Sequence, residues 1–171
     1  MGYKPFYIKK QKDGASTFDS AKKWNLYCVE FPFKLFGDIK QLPSNQFPDE
    51  DGTDEYIPDV LPVEAYEVEA TFGCKGKKEE VHSHIKDFIL YLKGMDKENA
   101  GKSSYGSEVQ IYDTHTGIGR QGCRLAKIGD TGYFQEIVRD DSGVADHVLL
   151  TFKLTFKVND PTTDIKLTDK S

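Results

Sequence analysis

The twelve residues HVLLTFKLTFKV (147–158) constrain this chain more than any other stretch. Val148, Leu150, Phe152, Leu154, Phe156 and Val158 recur at every second position, with Leu149, Thr151, Lys153, Thr155 and Lys157 between them. Successive side chains of a strand point to opposite faces, so a period of two predicts a strand with one apolar face. At ~3.3 Å per residue the run reaches ~40 Å, longer than most strands. Asn159, Asp160 and Pro161 stop it, and the polar residues 162–171 read as a frayed tail.

The same pattern recurs upstream. EAYEVEATFGC (64–74) sets Tyr66, Val68, Ala70 and Phe72 against Glu67, Glu69 and Thr71. YKPFYI (3–8), WNLYCVEF (24–31) and SEVQIYD (107–113) read as further strands, with Trp24, Leu26 and Cys28 sharing one face. CRLAKIG and GYFQEIVRD read as two more, joined by a Gly-Asp-Thr-Gly turn at 129–132, and DDSG closes another hairpin. EEVHSHIKDFILYLKG (79–94) breaks the period. Val81, Ile85, Phe88, Ile89 and Leu92 form the single stripe of an amphipathic helix, which Gly94 ends. The fold class expected is α+β, mostly antiparallel β: a β-sandwich or flattened barrel with one amphipathic helix packed against it.

Residues 34–62 fit neither period. Pro43, Pro48, Pro58 and Pro62 punctuate them, and FPDEDGTDEYIP (47–58) packs Asp49, Glu50, Asp51, Asp54 and Glu55 around Gly52. A connection this long inside a compact domain is usually functional or mobile. The chain has 171 residues, which favours a single domain over 1–171, with a core at about 20–161.

Composition excludes several classes. A net charge of −5 argues against a general nucleic-acid binder, which needs cations to displace phosphate counterions. Cys28, Cys74 and Cys123 are widely spaced and contain no CxxC, so reduced thiols are expected and a zinc site is not. The N-terminus lacks the apolar core of a signal peptide, and no apolar run approaches the length of a membrane span.

The motif-like stretches read as structure. GIGRQG (117–122) has GxGxxG spacing, but strands are predicted on both sides, so no helix N-terminus follows to hold a phosphate. It reads as a glycine-rich hairpin turn. DEDGTDE lacks the residue order of an EF-hand loop, and a solvated turn is expected there without a metal. His82 and His84 are two apart on the predicted helix, whereas helical zinc ligands sit four apart. Asp113, His115 and Arg120 are close in sequence but have no nucleophile beside them, so no enzyme and no cofactor is expected. The dense aromatics Trp24, Tyr27, Phe31 and Phe33 fall on alternating faces, which favours a core role over a ligand platform.

The order of these segments resembles the N-terminal domain of phage distal tail proteins. The resemblance rests on KKWNLYCVEFPFK (22–34), the DEDG loop, EAYEVEATFGCKG (64–76) and the helix VHSHIKDFILYLKG (81–94). It continues through VQIYD (109–113), the RLAKIGDTGYF hairpin (124–134) and LLTFKLTFKVNDP (149–161). Tail tube and tail terminator proteins are related in fold. The resemblance implies a structural virion protein, made in the bacterial cytoplasm and placed in the tail or baseplate, of phage or prophage origin. It implies a ring, a hexamer above all, around a DNA channel, with tail tube and tail-tip proteins as neighbours, DNA only as passing cargo, and no membrane partner. Asp49, Asp51, Asp54 and Glu55 would then meet Arg120, Lys153 or Lys157 of another subunit. Two other readings stay open on the residues alone: a monomer with one untidy loop, and a small non-catalytic β-sandwich that binds carbohydrate or another ligand.

Overall fold

The computed structural model describes residues 4–95, 105–134 and 147–168. Its strands are β1 (Phe6–Lys10), β2 (Thr17–Asp19), β3 (Tyr27–Glu30), β4 (Ser44–Asn45), β5 (Asp54–Glu55), β6 (Tyr66–Lys77), β7 (Val109–Asp113), β8 (Ile118–Phe134) and β9 (His147–Val158). Helix α1 (Ser20–Trp24) precedes β3 and helix α2 (Lys78–Leu92) follows β6. Seven strands form one sheet in the order β2-β1-β7-β8-β9-β6-β3, and every pairing among the described residues is antiparallel. The fold is α+β and mostly antiparallel β, as the alternation predicts.

The sheet cannot be flat. Strands β1 and β6 are four positions apart in it, about 19 Å at the usual strand spacing. Yet the rings of Phe6 on β1 and Phe72 on β6 are 5.4 Å apart, and Phe6 also lies 5.2 Å from Phe31, just beyond β3. The sheet therefore curls and faces itself across the core. Phe152, Leu154, Phe156 and Val158 of β9 and Val68, Ala70 and Phe72 of β6 line that core, each nearly or fully buried. Helix α2 closes it with Val81, Ile85, Phe88 and Leu92, four of the five residues of the predicted stripe, while Ile89 is half-buried.

Strand β8 supplies much of the curl. It is one continuous strand, where a hairpin turn was expected at 129–132. Its glycines mark bulges. Residues 120–123 of β8 oppose only 109–111 of β7, with Gly122 at φ 65°. Two more irregularities, at 125–127 and 128–131, each place one extra β8 residue against β9. A bulge bends the strand that carries it and raises its twist. The expected turn at GIGRQG is likewise displaced: residues 114–117 turn, Gly117 has φ 73°, and Ile118–Gly122 are already strand. The predicted strand beyond Phe134 and the DDSG hairpin lie outside the described residues.

The start of WNLYCVEF is helix, where strand was expected. Asp19 caps α1, its Oδ1 accepting from Ala21 N at 3.0 Å, and Asn25 ends it in the left-handed region at φ 55°. Trp24 thereby leaves the strand and packs 5.0 Å from Phe88 and 4.9 Å from Tyr91 of α2. Strand β6 runs three residues past Cys74, where the predicted strand ends, to Lys77, and passes directly into α2.

Candidate surface for subunit contact

Residues 34–64 leave the body of the protein as an arm. Its root is held by main-chain contacts. Lys40 N donates to Pro62 O at 2.9 Å, and Ile39 bridges Val63. Gly37 lies so close to Glu64 that a Cβ there would sit 1.9 Å from the Glu64 carbonyl oxygen. Further out, β4 and β5 pair only with each other, Ser44 opposite Glu55 and Asn45 opposite Asp54. The acidic stretch is thus the turn of a short hairpin, with Gly52 at φ 84°.

The arm is exposed on nearly every residue, and its apolar ones are no exception. Leu35, Phe36, Ile39, Phe47, Tyr56, Ile57, Val60 and Leu61 supply eight of the thirteen large hydrophobic side chains exposed among the described residues. Single exposed apolar residues are ordinary, whereas eight of them on one charged arm make it a candidate contact surface. The sequence carried this signal in the apolar residues between the prolines.

The sequence-derived contact residues fall in three places. Asp49 and Asp51 sit in the hairpin turn and Asp54 and Glu55 on β5, all exposed. Lys153 and Lys157 lie on the outer face of β9. There Lys153 Nζ is 3.5 Å from Glu69, and Lys157 stands in register with Glu67 and Arg124. Nearby, Lys127 is 3.8 Å from Glu67.

Arg120 is elsewhere altogether. It is 1% exposed, so it offers no cation to the surface. Its Nη2 donates to the carbonyls of Lys34 at 3.2 Å and Leu35 at 2.9 Å, at the root of the arm. Its Nη1 donates to Gly119 O at 3.1 Å and to Asp164 Oδ1. Tyr66, whose hydroxyl donates to the same Lys34 carbonyl at 3.0 Å, has its phenol pushed up by burial, with Arg120 pulling the other way. One buried guanidinium therefore joins β8, the arm root and the C-terminal segment. That segment is packed through Leu167, where a frayed tail was expected, and a Cβ on Gly119 would sit 2.2 Å from Ile165 O.

Arg120 is thereby drawn away from Asp113 and His115. Asp113 caps its own turn, accepting from His115 N at 3.1 Å and from Thr116 Oγ1 at 3.1 Å. These residues border a cleft of about 420 Å³ between β3 and the end of β7, beside Cys28. Burial, then the charge of Asp113, pushes the Cys28 thiol far up, so it stays protonated and a poor nucleophile. Burial alone raises Cys74 to about 11, and it is the main cause that takes Cys123 to about 12. Among the described residues, no three His, Cys, Asp or Glu side chains converge as metal ligands. No helix among them is long and apolar enough to cross a membrane.

No known family model and no curated protein matches the chain. Among solved structures, the chain is similar to the Dit protein (gp 19.1) of phage SPP1, described as a paradigm of the hub adsorption apparatus in phages infecting Gram-positive bacteria. The match has a TM-score of 0.52 at 14% identity and covers 91% of this chain but 50% of the SPP1 protein. The chain therefore spans about half the length of that structure and shares the fold of that half.

Proposed function

We propose that this chain is a structural protein of a phage tail or baseplate. It forms an oligomeric ring, a hexamer above all, around the DNA channel and links the tail tube to the tail tip. The observation that carries this reading is the fold shared with the SPP1 hub protein over 91% of the chain. The exposed arm supports it, because a monomer gains nothing from displaying so much apolar surface on an ordered hairpin. On this reading the protein is made in the bacterial cytoplasm and ends in the virion tail. Its partners are copies of itself and the adjoining tail tube and tail-tip proteins. DNA passes through as cargo: a net charge of −5 offers it few counterion-releasing contacts.

The acidic tip of the arm, Asp49, Asp51, Asp54 and Glu55, contacts cations of a neighbouring copy. Lys153 and Lys157 remain on the surface as candidates for that role, and buried Arg120 leaves the set. Light scattering behind size exclusion over a concentration series, with negative-stain imaging of the heaviest species, tests the reading. Closed rings of fixed mass are expected. A mass of 19.3 kDa at every concentration, with no ring even when tail tube protein is added, overturns it.

A further inference from the structure

The arm needs a receiving surface that is apolar as well as cationic. The outer face of β9 is a poor match: it presents threonines, and Lys153 and Lys127 already face Glu69 and Glu67. A better match lies along α2. Between this helix and the second half of β8 runs an open groove of about 450 Å³. Its floor includes Ile89, Leu90, Ile128 and Leu150, and Lys86 and Lys93 stand at its rim. Ile128 is 58% exposed there, although it sits in the longest strand of the sheet. Both lysines are exposed, and among the described residues neither has a carboxylate partner.

We propose that this groove receives the arm of a second copy, with arm apolar side chains on the floor and tip carboxylates on Lys86 and Lys93. The inference rests on the ring reading and names its interface. Complementarity is double. The arm carries Phe47, Tyr56 and Ile57 beside Asp49, Asp51, Asp54 and Glu55, and the groove offers an apolar floor beside two cations.

The two surfaces lie at different places along the sheet. The arm root meets β8 at Arg120 and lies beside Glu64, just before β6, where Tyr66 pairs with Val158. The groove includes Leu150, eight residues back along β9, so the two lie about 26 Å apart along the sheet. When one copy's arm fills the next copy's groove the contact runs head to tail, and such contacts propagate until they close into a ring or continue as a filament; a reciprocal exchange of arms closes instead as a two-fold dimer, and the mass of the parent oligomer separates the two.

Charge reversal of full-length chains tests this, since all four residues are exposed and their reversal leaves the core intact. Lys86→Glu with Lys93→Glu gives a groove variant. Asp51→Lys with Asp54→Lys gives an arm variant. Each alone is expected to run at monomer mass where the parent forms its oligomer. Combining all four changes in one chain is expected to restore the oligomer. An equimolar mixture of the two variants is expected to restore the oligomer as an alternation of the two chains, because each variant's arm is complementary in charge only to the other variant's groove. A groove variant that assembles like the parent overturns the proposal and leaves the ring reading standing. So does a Lys153→Glu, Lys157→Glu variant that fails to assemble while the groove variant does not. A parent chain that stays monomeric at every concentration overturns the proposal together with self-assembly.

Discussion

Replacing Arg120 by Met separates two ways in which a buried cation can matter. The side chains are similar in length, so packing loss is small. What goes is a guanidinium that donates to the carbonyls of Lys34, Leu35 and Gly119 and to Asp164. Hydrogen bonds from a charged donor contribute roughly 1.5–3 kcal/mol each, and the desolvation of Arg120 itself offsets several kcal/mol of that sum. Breaking a fully buried pair costs about 3–5 kcal/mol, mostly through the charge left behind. Here the partner left behind, Asp164, is 84% exposed and returns to water. The expected loss is therefore at the low end, about 3 kcal/mol. With a urea m-value of about 2 kcal/mol/M, the midpoint moves down by about 1.5 M. Asp164→Asn removes only the exposed half and is expected to cost less than about 1 kcal/mol. Hydrogen exchange supplies the second readout. The Ile165 amide, which donates to Gly119 O, and the Glu64 amide, which donates to Asp38 O, should both exchange faster in Arg120→Met. Equal midpoint shifts for the two variants refute the reasoning, because the exposed ion pair would then carry the effect. So does unchanged exchange at both amides, which would mean that Arg120 joins neither the arm nor the tail to the body.

Three further outcomes are expected. Phe72→Ala removes a fully buried ring in contact with Phe6, Phe88 and Phe152, and should cost about 3–5 kcal/mol; a urea-midpoint shift worth under about 1.5 kcal/mol would show that the core collapses into the space. Gly37→Ala forces a Cβ against the Glu64 carbonyl, so it should speed proteolysis within 35–64 while the thermal transition of the body moves far less; a cleavage rate equal to the parent's counts against the tight root. The buried thiols give a pH dependence. Cys74 and Cys123 hold their protons to about 11 and about 12, against 9.0 for the free thiol, so the folded state binds more protons than the unfolded state in between. Stability is then full below pH 9 and falls as pH rises towards 11 and 12, and Cys74→Ala with Cys123→Ala should flatten that fall in urea titrations at stepped pH.

Much of this fold is legible from the sequence where a single local rule decides. The alternation of 147–158 places all of β9, and the stripe from Val81 to Leu92 places the buried face of α2. The failures share a cause, which is that one residue type serves two purposes. Glycine marks both a turn and a bulge, and only strand pairing shows that Gly122 and Gly129 belong inside one strand. Asp19 and Asn25 were readable as caps of a short helix, but the alternation from Trp24 onwards masked them. Arg120 is the plainest case. Arginine is rarely buried unless paired, and its partners here are main-chain carbonyls 85 and 86 residues away and a carboxylate 44 residues away. No pattern in the neighbouring sequence encodes those contacts. The cations of the α2 groove were hidden for a related reason, since Ile128 joins α2 only through the third dimension.

The root of the arm has a consequence for how such a protein changes over generations. The contacts that anchor it end on peptide groups: the carbonyls of Lys34 and Leu35, the Glu64 carbonyl against Gly37, and the Lys40–Pro62 and Glu64–Asp38 bonds. Peptide groups are the same whatever side chains they carry. Apart from a glycine at 37, the body therefore asks almost nothing of the residues that follow, and new hairpins can be exchanged at this socket without renegotiating the core. If the arm makes the subunit contact proposed above, partner choice and folding rest on separate residues, and the first can change while the second is untouched.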